Sequence, residues 1–424
     1  MSVLLKGGTV FFENTLKRLD LLIKDGIVAG VFQFPSSESA DIVIDCTGKV
    51  ISPGFADVHV HLREPGFSIK ETIAAGTAAG ARGGYTALCS MPNLSPVPDS
   101  LENMEKQLDI IRRDAVIPVF PYGAITIGQS GQELVDFAGM KEAIGFSDDG
   151  KGVQCPDMME QAMRKIAGTG KILAAHCEDD TLVPQGAAVH DGTYARANSL
   201  AGIPSKSEWR QVERDVELAK KTGCRYHVCH VSAKESVDII RRAKAEGVDI
   251  SCETAPHYLT LSDEDLRDEG RFKMNPPIRG KDDMQALIEG LADGTIDMIA
   301  TDHAPHTQEE KSKGLAGSIM GVVGLETAFP VLHTRLVKTG KISLERLLNA
   351  MSSVPGERFG IGGAIREGAR ADIAVLDLEK EYEIKSYGFL SKGKSTPFEG
   401  MKVQGECELT ICGGKIVWDG RQEG

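Results

Sequence analysis

Residues 54–61, GFADVHVH, form a short apolar run that ends in two histidines one residue apart. A run of this length, introduced by a glycine, is typical of a buried β-strand. Seven more runs of similar length follow along the chain: YTALCSMP (85–92), VIPVFPYGAI (116–125), AIGFSDD (143–149), KILAAHCE (171–178), RYHVCHVS (225–232), DISCETAP (249–256) and DMIATDHAP (297–305).

Most of these runs are separated by helix-like stretches, such as SLENMEKQLDIIRRD (100–114) and AKESVDIIRRAKAEG (233–247). Strand alternating with helix eight times is the pattern of a (β/α)8 barrel of the TIM type. An open, doubly wound sheet is the alternative. That fold usually carries a glycine-rich phosphate loop, and the sequence contains neither GxGxxG nor GxxxxGK[ST].

Both ends of the chain have a different character. Short strand-like segments with glycine turns fill the first fifty residues and recur in the last sixty, where KGGTV and CGGKIV look like comparable hairpin pieces. Neither end has enough strands to bury a core alone. We therefore expect a small β-sandwich domain built from residues 1–52 and 362–424, with the barrel occupying residues 53–361.

Composition narrows the possible functions. The formal net charge of −13 over 424 residues argues against nucleic acid and anionic membranes as partners. The N-terminal segment contains no sustained apolar run, so we expect neither a signal peptide nor a membrane span. Nine scattered cysteines without a CxxC pair favour a reduced, cytoplasmic protein.

Polar residues gather at the ends of the predicted strands. They are His59, His61, Asp149, His176, His230 and Asp302. In a (β/α)8 barrel the carboxyl ends of the strands form the face where active sites are built. Four imidazoles and two carboxylates brought together there predict a metal site. Zinc is the first expectation, with manganese, cobalt and iron as alternatives.

The alternation of side chains along a strand helps to choose among neighbouring candidates. Asp57, His59 and His61 share one face, so both imidazoles can reach one ion while Asp57 orients a ligand from behind. His227 and His230 are three residues apart, so an ideal strand points only one inward. His230 is the better ligand, and His227 is expected to pack outside the barrel. Asp302 and His303 are adjacent, so only one of them can point inward, and we select Asp302.

The motifs also resemble a known family. DVHVHLREPG (57–66) and ATDHAPHTQEEK (300–311) are similar to dihydroorotases, within the amidohydrolase superfamily. The resemblance continues through SMPN, GFSDDG, AAHCED, CHVS, MNPPIR and GLETAFP, and so spans nearly the whole chain. It implies reversible ring closure of N-carbamoyl-L-aspartate to (S)-dihydroorotate, a step of pyrimidine biosynthesis, and it implies the same barrel and small β-domain.

The resemblance also implies roles for the metal residues. His59, His61 and Asp302 would bind a first zinc ion, and His176 and His230 would bind a second. Many amidohydrolases bridge the two ions with a carboxylated lysine on the fourth strand, but AIGFSDDG contains no lysine. The bridging role would fall to Asp149, with Asp148 as its rival. Two ions are favoured, and one ion remains an alternative.

Further roles follow from the same family. Asp302 would act as general base and acid, working with a water whose pKa the ions lower. Arg63 would grip the ring carboxylate with a bidentate fork. The residues expected to contact substrate are His61, Arg63, Asn93, Asn275, His306 and the backbone around Met320 and Gly321. The polar, glycine-containing stretch 306–321 is expected to be a mobile lid.

Two other functions stay open at this point. A different cyclic amidase, such as a dihydropyrimidinase, hydantoinase or allantoinase, would have less need of Arg63 together with Asn93. A catalytically inactive scaffold homologue would usually have lost metal ligands, whereas every ligand position is filled here. The family also suggests a homodimer and association with aspartate carbamoyltransferase.

Overall fold

The computed structural model describes residues 2–422, and its first five strands belong to a terminal β-sheet. They are β1 (Ser2–Phe12), β2 (Thr15–Lys24), β3 (Ile27–Gln33), β4 (Ile42–Asp45) and β5 (Val50–Pro53). Two-residue turns join β1 to β2 at Glu13–Asn14 and β2 to β3 at Asp25–Gly26. All four turn residues have positive φ, as the tight turns that suit the twist of antiparallel strands require.

The barrel strands follow, alternating with helices. The strands are β6 (Phe55–Val60), β7 (Tyr85–Ser90), β8 (Val119–Pro121), β9 (Gly145–Phe146), β10 (Ile172–Ala175), β13 (Arg225–Val228), β14 (Ile250–Thr254) and β15 (Met298–Ile299), with a small side pair of β11 (Val189–His190) and β12 (Gly202–Ile203). The helices as far as β15 are α1 (Ile73–Arg82), α2 (Leu101–Asp114), α3 (Pro156–Ala167), α4 (Thr193–Ala197), α5 (Ser205–Thr222), α6 (Lys234–Ala245), α7 (Pro256–Thr260) and α8 (Lys281–Asp293).

The eight barrel strands are parallel and close on themselves. β6, β7 and β8 form one hydrogen-bonded arc, and β9, β10, β13, β14 and β15 form the other. Single parallel bridges join the arcs, between Gly123 and Phe146 on one side and between Val60 and His303 on the other. The predicted (β/α)8 barrel is therefore confirmed, and each of the eight predicted runs contains one of its strands. The open doubly wound sheet is excluded because that fold leaves two free edges.

Helices α9 (Gln308–Lys311), α10 (Gly314–Gly317), α11 (Ala328–Leu332), α12 (Leu344–Met351) and α13 (Ser353–Phe359) come after the barrel strands. Strands β16 (Ile373–Glu383), β17 (Lys402–Cys412) and β18 (Lys415–Asp419) then return to the terminal sheet. None of the helices within residues 2–422 is long and apolar enough to cross a membrane.

Both ends of the chain contribute to one continuous sheet with the order β18-β17-β16-β5-β1-β2-β3. β1 pairs with β4 along its first half and with β5 along its second, and β5 in turn pairs with β16 from the other end of the chain. Side chains from both ends share one core, including Leu5, Leu21, Ile51, Ile373 and Ile411. The expected divisions at 52/53 and 361/362 stay predictions.

The two glycine pairs near the ends of the chain differ in structure. Gly413–Gly414 forms the turn between β17 and β18, as the hairpin pattern predicts. Gly7–Gly8 instead lies within β1, where the register against β2 shifts between Leu5 and Gly8. The prediction of a hairpin at KGGTV was wrong, because a glycine with positive φ also permits a β-bulge inside a strand.

Candidate active site

Three predicted metal residues meet where β6 approaches the segment after β15. His61 Nε2 lies 3.1 Å from Asp302 Oδ1, and His59 Nε2 lies 3.6 Å from the same oxygen. Asp149 completes the group, with its carboxylate oxygens 3.4 Å from His59 Nε2 and 3.5 Å from His61 Nε2. The side chains of all four are at least nine-tenths buried.

The other two predicted histidines lie on the far side of Asp149. His176 Nδ1 and His230 Nε2 are 2.9 Å apart. Their distances to Asp149 Oδ1 are 3.9 Å and 3.7 Å respectively. The structure therefore gathers all six predicted metal residues into one cluster, with Asp149 between the two pairs of histidines.

The spacing and chemistry of these atoms fit bound cations. Ligand atoms in a tetrahedral zinc site, at the usual bond lengths, lie about 3.3 Å from one another. His59 Nε2 and Asp149 Oδ1 are buried without a hydrogen-bond partner among the described residues. Buried polar atoms are rarely left unpaired unless a ligand or ion supplies the missing partner. A donor set of four imidazoles and two carboxylates suits zinc and similar divalent ions.

Asp148 and Asp149 are adjacent but have different surroundings. Asp148 accepts hydrogen bonds from the backbone of Ile125 (2.8 Å) and Thr126 (3.2 Å), and its second oxygen accepts from the Thr126 hydroxyl. Its carboxylate is thus occupied by the loop after β8. Asp149 faces the four histidines instead. The structure places Asp149, and not Asp148, between the two halves of the cluster.

Several site residues have an unusual backbone conformation. His230 has φ 36°, Asp302 has φ 47° and Arg63 has φ 63°, although none is glycine. Backbone strain of this kind is concentrated at functional sites, where the surrounding structure maintains it. Each residue follows the end of its strand, so the turn into the left-handed region re-aims the side chain.

This conformation overturns the prediction that His227 packs outside the barrel. His227 Nδ1 lies 2.8 Å from Ser251 Oγ, and its Nε2 contacts Glu253, while its ring packs edge-on against Phe359. These neighbours are buried inside the barrel. β13 ends at Val228, and the left-handed turn at His230 breaks the alternation of side chains. Both histidines therefore point inward.

Asp57 supports the cluster through the backbone. Its carboxylate accepts from the backbone N–H of His59 (3.1 Å) and of Thr301 (3.1 Å). It therefore joins the strand that carries His59 to the segment that leads to Asp302. Burial raises the pKa of Asp57 to about 6, although the hydrogen bonds to Thr301 and His59 act against it.

Positive neighbours hold both cluster carboxylates in the ionised form. Burial acts to raise the pKa of Asp302, but the hydrogen bond from His61 and the charges of His59, His61 and His230 outweigh it and lower the pKa to about 2. Burial likewise opposes ionisation of Asp149, but the charge of His59, the nearby His230 ring and the charge of His61 lower that pKa well below its usual range. Both groups are therefore suited to bind cations near neutral pH.

A cavity of about 220 Å³ opens above the cluster. Its volume suits a small ring rather than a polymer. All the predicted substrate-contacting residues line it together with five of the six metal residues: His61, Arg63, Asn93, Asp149, His176, His230, Asn275, Asp302, His306, Met320 and Gly321. His59 is the exception, since it lies beneath the cavity floor.

Arg63 and His306 form the cationic wall of this cavity. Arg63 donates from Nε to the carbonyl of Pro305 (3.2 Å), and its Nη2 lies 3.3 Å from His306 Nε2. Burial, followed by the charges of Arg63, Lys70 and Lys311, lowers the pKa of His306 to about 3. Neutral His306 can therefore accept a hydrogen bond from Arg63, and the guanidinium carries the positive charge.

Two amide side chains face each other across the cavity. Asn93 donates to the backbone carbonyl of Asp149 (2.7 Å), and Asn275 donates to Glu178 (3.0 Å). The carbonyl oxygens of both amides have no partner among the described residues. These oxygens can accept hydrogen bonds from N–H groups of a ligand in the cavity.

Sequence reasoning missed two carboxylates near the cluster. Glu178 lies 4.0 Å from His176 Nε2, and Glu253 lies 3.2 Å from His59 Nδ1. Glu178 directly follows the AAHC segment, and Glu253 interrupts the otherwise nearly uncharged run DISCETAP. A glutamate inside a buried barrel strand was a signal that could have singled out Glu253, because such a charge needs a partner.

The predicted lid is folded over the cavity. α9 begins with a capping box between Thr307 and Glu310, and α10 follows it. Lys311 is buried and donates to the carbonyls of Lys273 (2.9 Å) and Ile319 (2.7 Å). These bonds hold the segment against the barrel, and its mobility stays a prediction.

A closed (β/α)8 barrel with a histidine and aspartate cluster at its carboxyl end, joined to a terminal β-sheet, is the architecture of the amidohydrolase class. The solved structures agree. An L-hydantoinase (dihydropyrimidinase) from Arthrobacter aurescens is 27% identical and covers 98% of this chain and 96% of its own, with a TM-score of 0.89. A dihydropyrimidinase from Brevibacillus agri NCHU1002 shares the fold, at 22% identity, coverage of 99% and 96%, and a TM-score of 0.85.

The sequence comparisons are more specific. The family described as Dihydro-orotase-like matches residues 48–236. The Dihydroorotase of Geobacillus sp. strain WCH70 is 50% identical over 428 residues, covering 100% of both chains. That of Bacillus cereus strain AH820 is 50% identical over 423 residues, covering 99% of this chain and 98% of the relative. The chain belongs to the dihydroorotase family.

Proposed function

We propose that this chain interconverts N-carbamoyl-L-aspartate and (S)-dihydroorotate in pyrimidine biosynthesis, as a zinc-dependent enzyme. The observation that carries the proposal is the position of Arg63 in the wall of a cavity whose floor is the histidine–aspartate cluster. A ring that carries its own carboxylate needs a cation beside the reacting centre. Arg63 supplies that cation on the substrate side of the cluster.

In this proposal two zinc ions are favoured. His59, His61 and Asp302 would hold the first, His176 and His230 would hold the second, and Asp149 would contact both. When bound, such ions supply Lewis acidity, polarising the amide carbonyl and lowering the pKa of a water molecule. The short distances from Asp149 to all four histidines support its bridging role.

Asp302 would carry the proton. In ring opening its carboxylate takes a proton from the attacking water and returns it to the ring nitrogen as the carbon–nitrogen bond breaks. In ring closure the carboxylate takes a proton from the attacking carbamoyl nitrogen, and the acid so formed donates it to the departing oxygen. The low pKa of Asp302, about 2, supports a carboxylate that is ionised before the reaction starts.

The remaining cavity residues would orient the ring. Arg63 would pair with the carboxylate, with His306 beside it. Asn93 and Asn275 would use their unpartnered carbonyl oxygens toward ring N–H groups. His61 would contact the substrate from the cavity floor, while Met320 and Gly321 would close over it through the backbone.

The main rival is a hydantoinase-like activity, because the structural neighbours carry such names. The substrates of those enzymes lack the ring carboxylate, so Arg63 would have no partner. The test compares kcat/KM for dihydroorotate, hydantoin and allantoin on the zinc-loaded protein. We expect dihydroorotate to exceed the other two by at least about a hundredfold, the scale of a lost charge-assisted bidentate contact. Equal or higher values for hydantoin or allantoin would overturn the proposal.

Metal analysis separates an enzyme from an inactive scaffold. We expect one to two zinc ions per chain, with two favoured, and loss of activity when a chelator removes them. Readdition of zinc should restore turnover, and parallel trials with manganese, cobalt and iron identify the preferred ion. A purified chain that binds none of these ions would favour the scaffold.

The assembly and location of the protein are part of the same proposal. Family resemblance supports a homodimer and association with aspartate carbamoyltransferase. The nine unpaired cysteines, eight of them buried, support a cytoplasmic location. Light scattering of the purified chain, alone and mixed with the carbamoyltransferase, tests both assemblies.

A further inference from the structure

Glu253 is a buried carboxylate beneath the metal cluster, on β14. Its Oε1 accepts two hydrogen bonds, from His59 Nδ1 (3.2 Å) and from the backbone N–H of His230 (2.8 Å). Its Oε2 accepts from His227 Nε2. The residue is 0% exposed. One carboxylate thus touches a proposed ligand of each ion.

The direction of the His59 ring makes this contact significant. His59 Nε2 faces Asp149 and Asp302, so Nδ1 is the nitrogen left to carry the hydrogen. An acceptor at Nδ1 fixes that tautomer, orients the ring and makes Nε2 a stronger donor to a metal. The same oxygen of Glu253 also holds the backbone where His230 turns into its left-handed conformation.

Glu253 is itself held in place by a chain of buried groups. His227 Nδ1 accepts from Ser251 Oγ (2.8 Å), and Ser251 Oγ accepts from Arg358 Nε (2.9 Å). Phe359 packs against the His227 ring, with ring centres 5.2 Å apart. The Glu253 carboxylate therefore belongs to a chain of hydrogen bonds that runs from His59 in the cluster to Arg358.

The other ligand rings lack comparable support. His61 Nδ1 and His230 Nδ1 have no hydrogen-bond partner within residues 2–422. His176 Nε2 lies 4.0 Å from Glu178, which is 17% exposed, and 3.4 Å from the amide nitrogen of Asn275. Of the four proposed histidine ligands, His59 is the one whose second nitrogen meets a fully buried carboxylate.

We propose that Glu253, supported by His227, is a positioning residue that sets the zinc affinity of the site by orienting His59 and the backbone of His230. The inference rests on the proposed metal-dependent function. It predicts a graded loss of affinity when first the charge and then the acceptor is removed. Glu253→Gln keeps an oxygen for His59 and His230 but removes the charge. Glu253→Leu removes the charge and the acceptor.

The experiment measures zinc dissociation constants by competition with a chelating dye, and the unfolding of the metal-free proteins in urea. We expect zinc binding to weaken about tenfold in Glu253→Gln and about a hundredfold in Glu253→Leu. The matched control is Asp20→Asn. Asp20 is an equally buried carboxylate on β2, and its partners are Gly7 and Ser36 in the terminal domain, away from the cluster. It should lose stability but keep parental zinc affinity.

A second variant guards against misfolding of the first two. His227→Phe keeps a ring against Phe359 but removes the donor to Glu253, and we expect zinc binding to weaken by a smaller factor than in Glu253→Leu. Variants that unfold more easily yet bind zinc with parental affinity would overturn the inference, because Glu253 would then be purely structural. A parent chain that binds no zinc would instead contradict the proposed function.

Discussion

Arg63 combines a fixed position with an available charge. Its backbone lies in the left-handed region two residues after His61, beyond the end of β6, and its side chain lines the cavity. Its Nε donates to the carbonyl of Pro305 and its Nη2 lies 3.3 Å from His306 Nε2, which leaves the remaining N–H groups of the guanidinium for a ligand. An arginine arranged in this way is suited to recognising a carboxylate.

Replacement of Arg63 by methionine tests this assignment. Arg63→Met should cost about 2–5 kcal/mol of transition-state binding for dihydroorotate, because the ring carboxylate is left unpaired. That corresponds to a fall of roughly thirtyfold to several-thousandfold in kcat/KM. Zinc content should stay normal. The kcat/KM for dihydrouracil, a ring that lacks the carboxylate, should fall far less. Parental kcat/KM for dihydroorotate in the variant would remove Arg63 from the site.

His61 supplies a second test at this scale. His61→Ala should lose zinc and turnover together, because the variant lacks a ligand atom 3.1 Å from Asp302. The measurement is zinc per chain by elemental analysis alongside kcat. His190→Ala is the matched control, since that ring contacts Ile203 and Arg279 away from the cluster. Full zinc occupancy in His61→Ala would contradict the ligand assignment.

At the scale of elements, the lid depends on one buried lysine at the end of α9. Lys311 donates to the carbonyl of Ile319 within the lid and to the carbonyl of Lys273 outside it. Burial, with a further contribution from the charge of Lys273, lowers the pKa of Lys311 to about 7, although Glu310 acts against it. The lid anchor therefore changes protonation near neutral pH.

The sign of the resulting pH effect can be derived. The unfolded chain binds a proton at Lys311 below about pH 10.5, whereas the folded chain binds it only below about pH 7. Within this window the unfolded state holds more protons, so this group makes the free energy of unfolding rise with pH. Lys311→Met removes the contribution.

The measurement is urea unfolding of parent and Lys311→Met at several pH values from 6.5 to about 9.5. We expect the free energy of unfolding of the parent, minus that of Lys311→Met, to increase with pH across this range. A constant difference would show that Lys311 titrates normally in the folded protein. Lys338→Met, in the solvent-exposed turn after the π-helical segment His333–Val337, is a control for removal of a lysine charge.

At the scale of the whole molecule, the two ends of the chain stabilise each other and the barrel. β16 pairs with β5, and the Thr410 hydroxyl of β17 donates to Ala81 at the end of α1 (2.7 Å). Glu71, near the start of α1, accepts from Ser391 (2.5 Å) and approaches His303 beside Asp302. The connection between β16 and β17 is therefore joined, through Glu71, to the segment that carries Asp302.

The shared core of the two ends can be tested by a cavity mutation. Ile373 is fully buried between strands from both termini, so Ile373→Ala should lower the free energy of unfolding by about 2–5 kcal/mol. Ile416→Ala, at a 38% exposed position, should change it by less than about 0.5 kcal/mol. Urea unfolding of both variants is the measurement. Equal effects would mean that Ile373 does not belong to a packed core.

The sequence alone was sufficient to predict the barrel and five of the six residues that meet in the histidine–aspartate cluster. Eight apolar runs specify eight parallel strands, and the carboxyl ends of parallel barrel strands necessarily meet at one face. Polar residues at those ends therefore come together without any knowledge of the detailed packing. His59, His61, His176, His230 and Asp302 could be found in this way, and the terminal sheet followed from the similar character of the two chain ends.

Only the tertiary structure decided how side chains point where a strand ends. β9 has two residues, too few for alternation to distinguish Asp148 from Asp149, and the hydrogen-bond donors of the loop after β8 determined which carboxylate turned away. The left-handed backbone at His230 brought both His227 and His230 inside the barrel. Glu253 became visible as a partner of His59 only once β14 lay in place, because that contact joins residues 194 positions apart. Local sequence pattern sets the direction of a side chain within a regular strand, whereas beyond its end the backbone follows contacts made by distant segments.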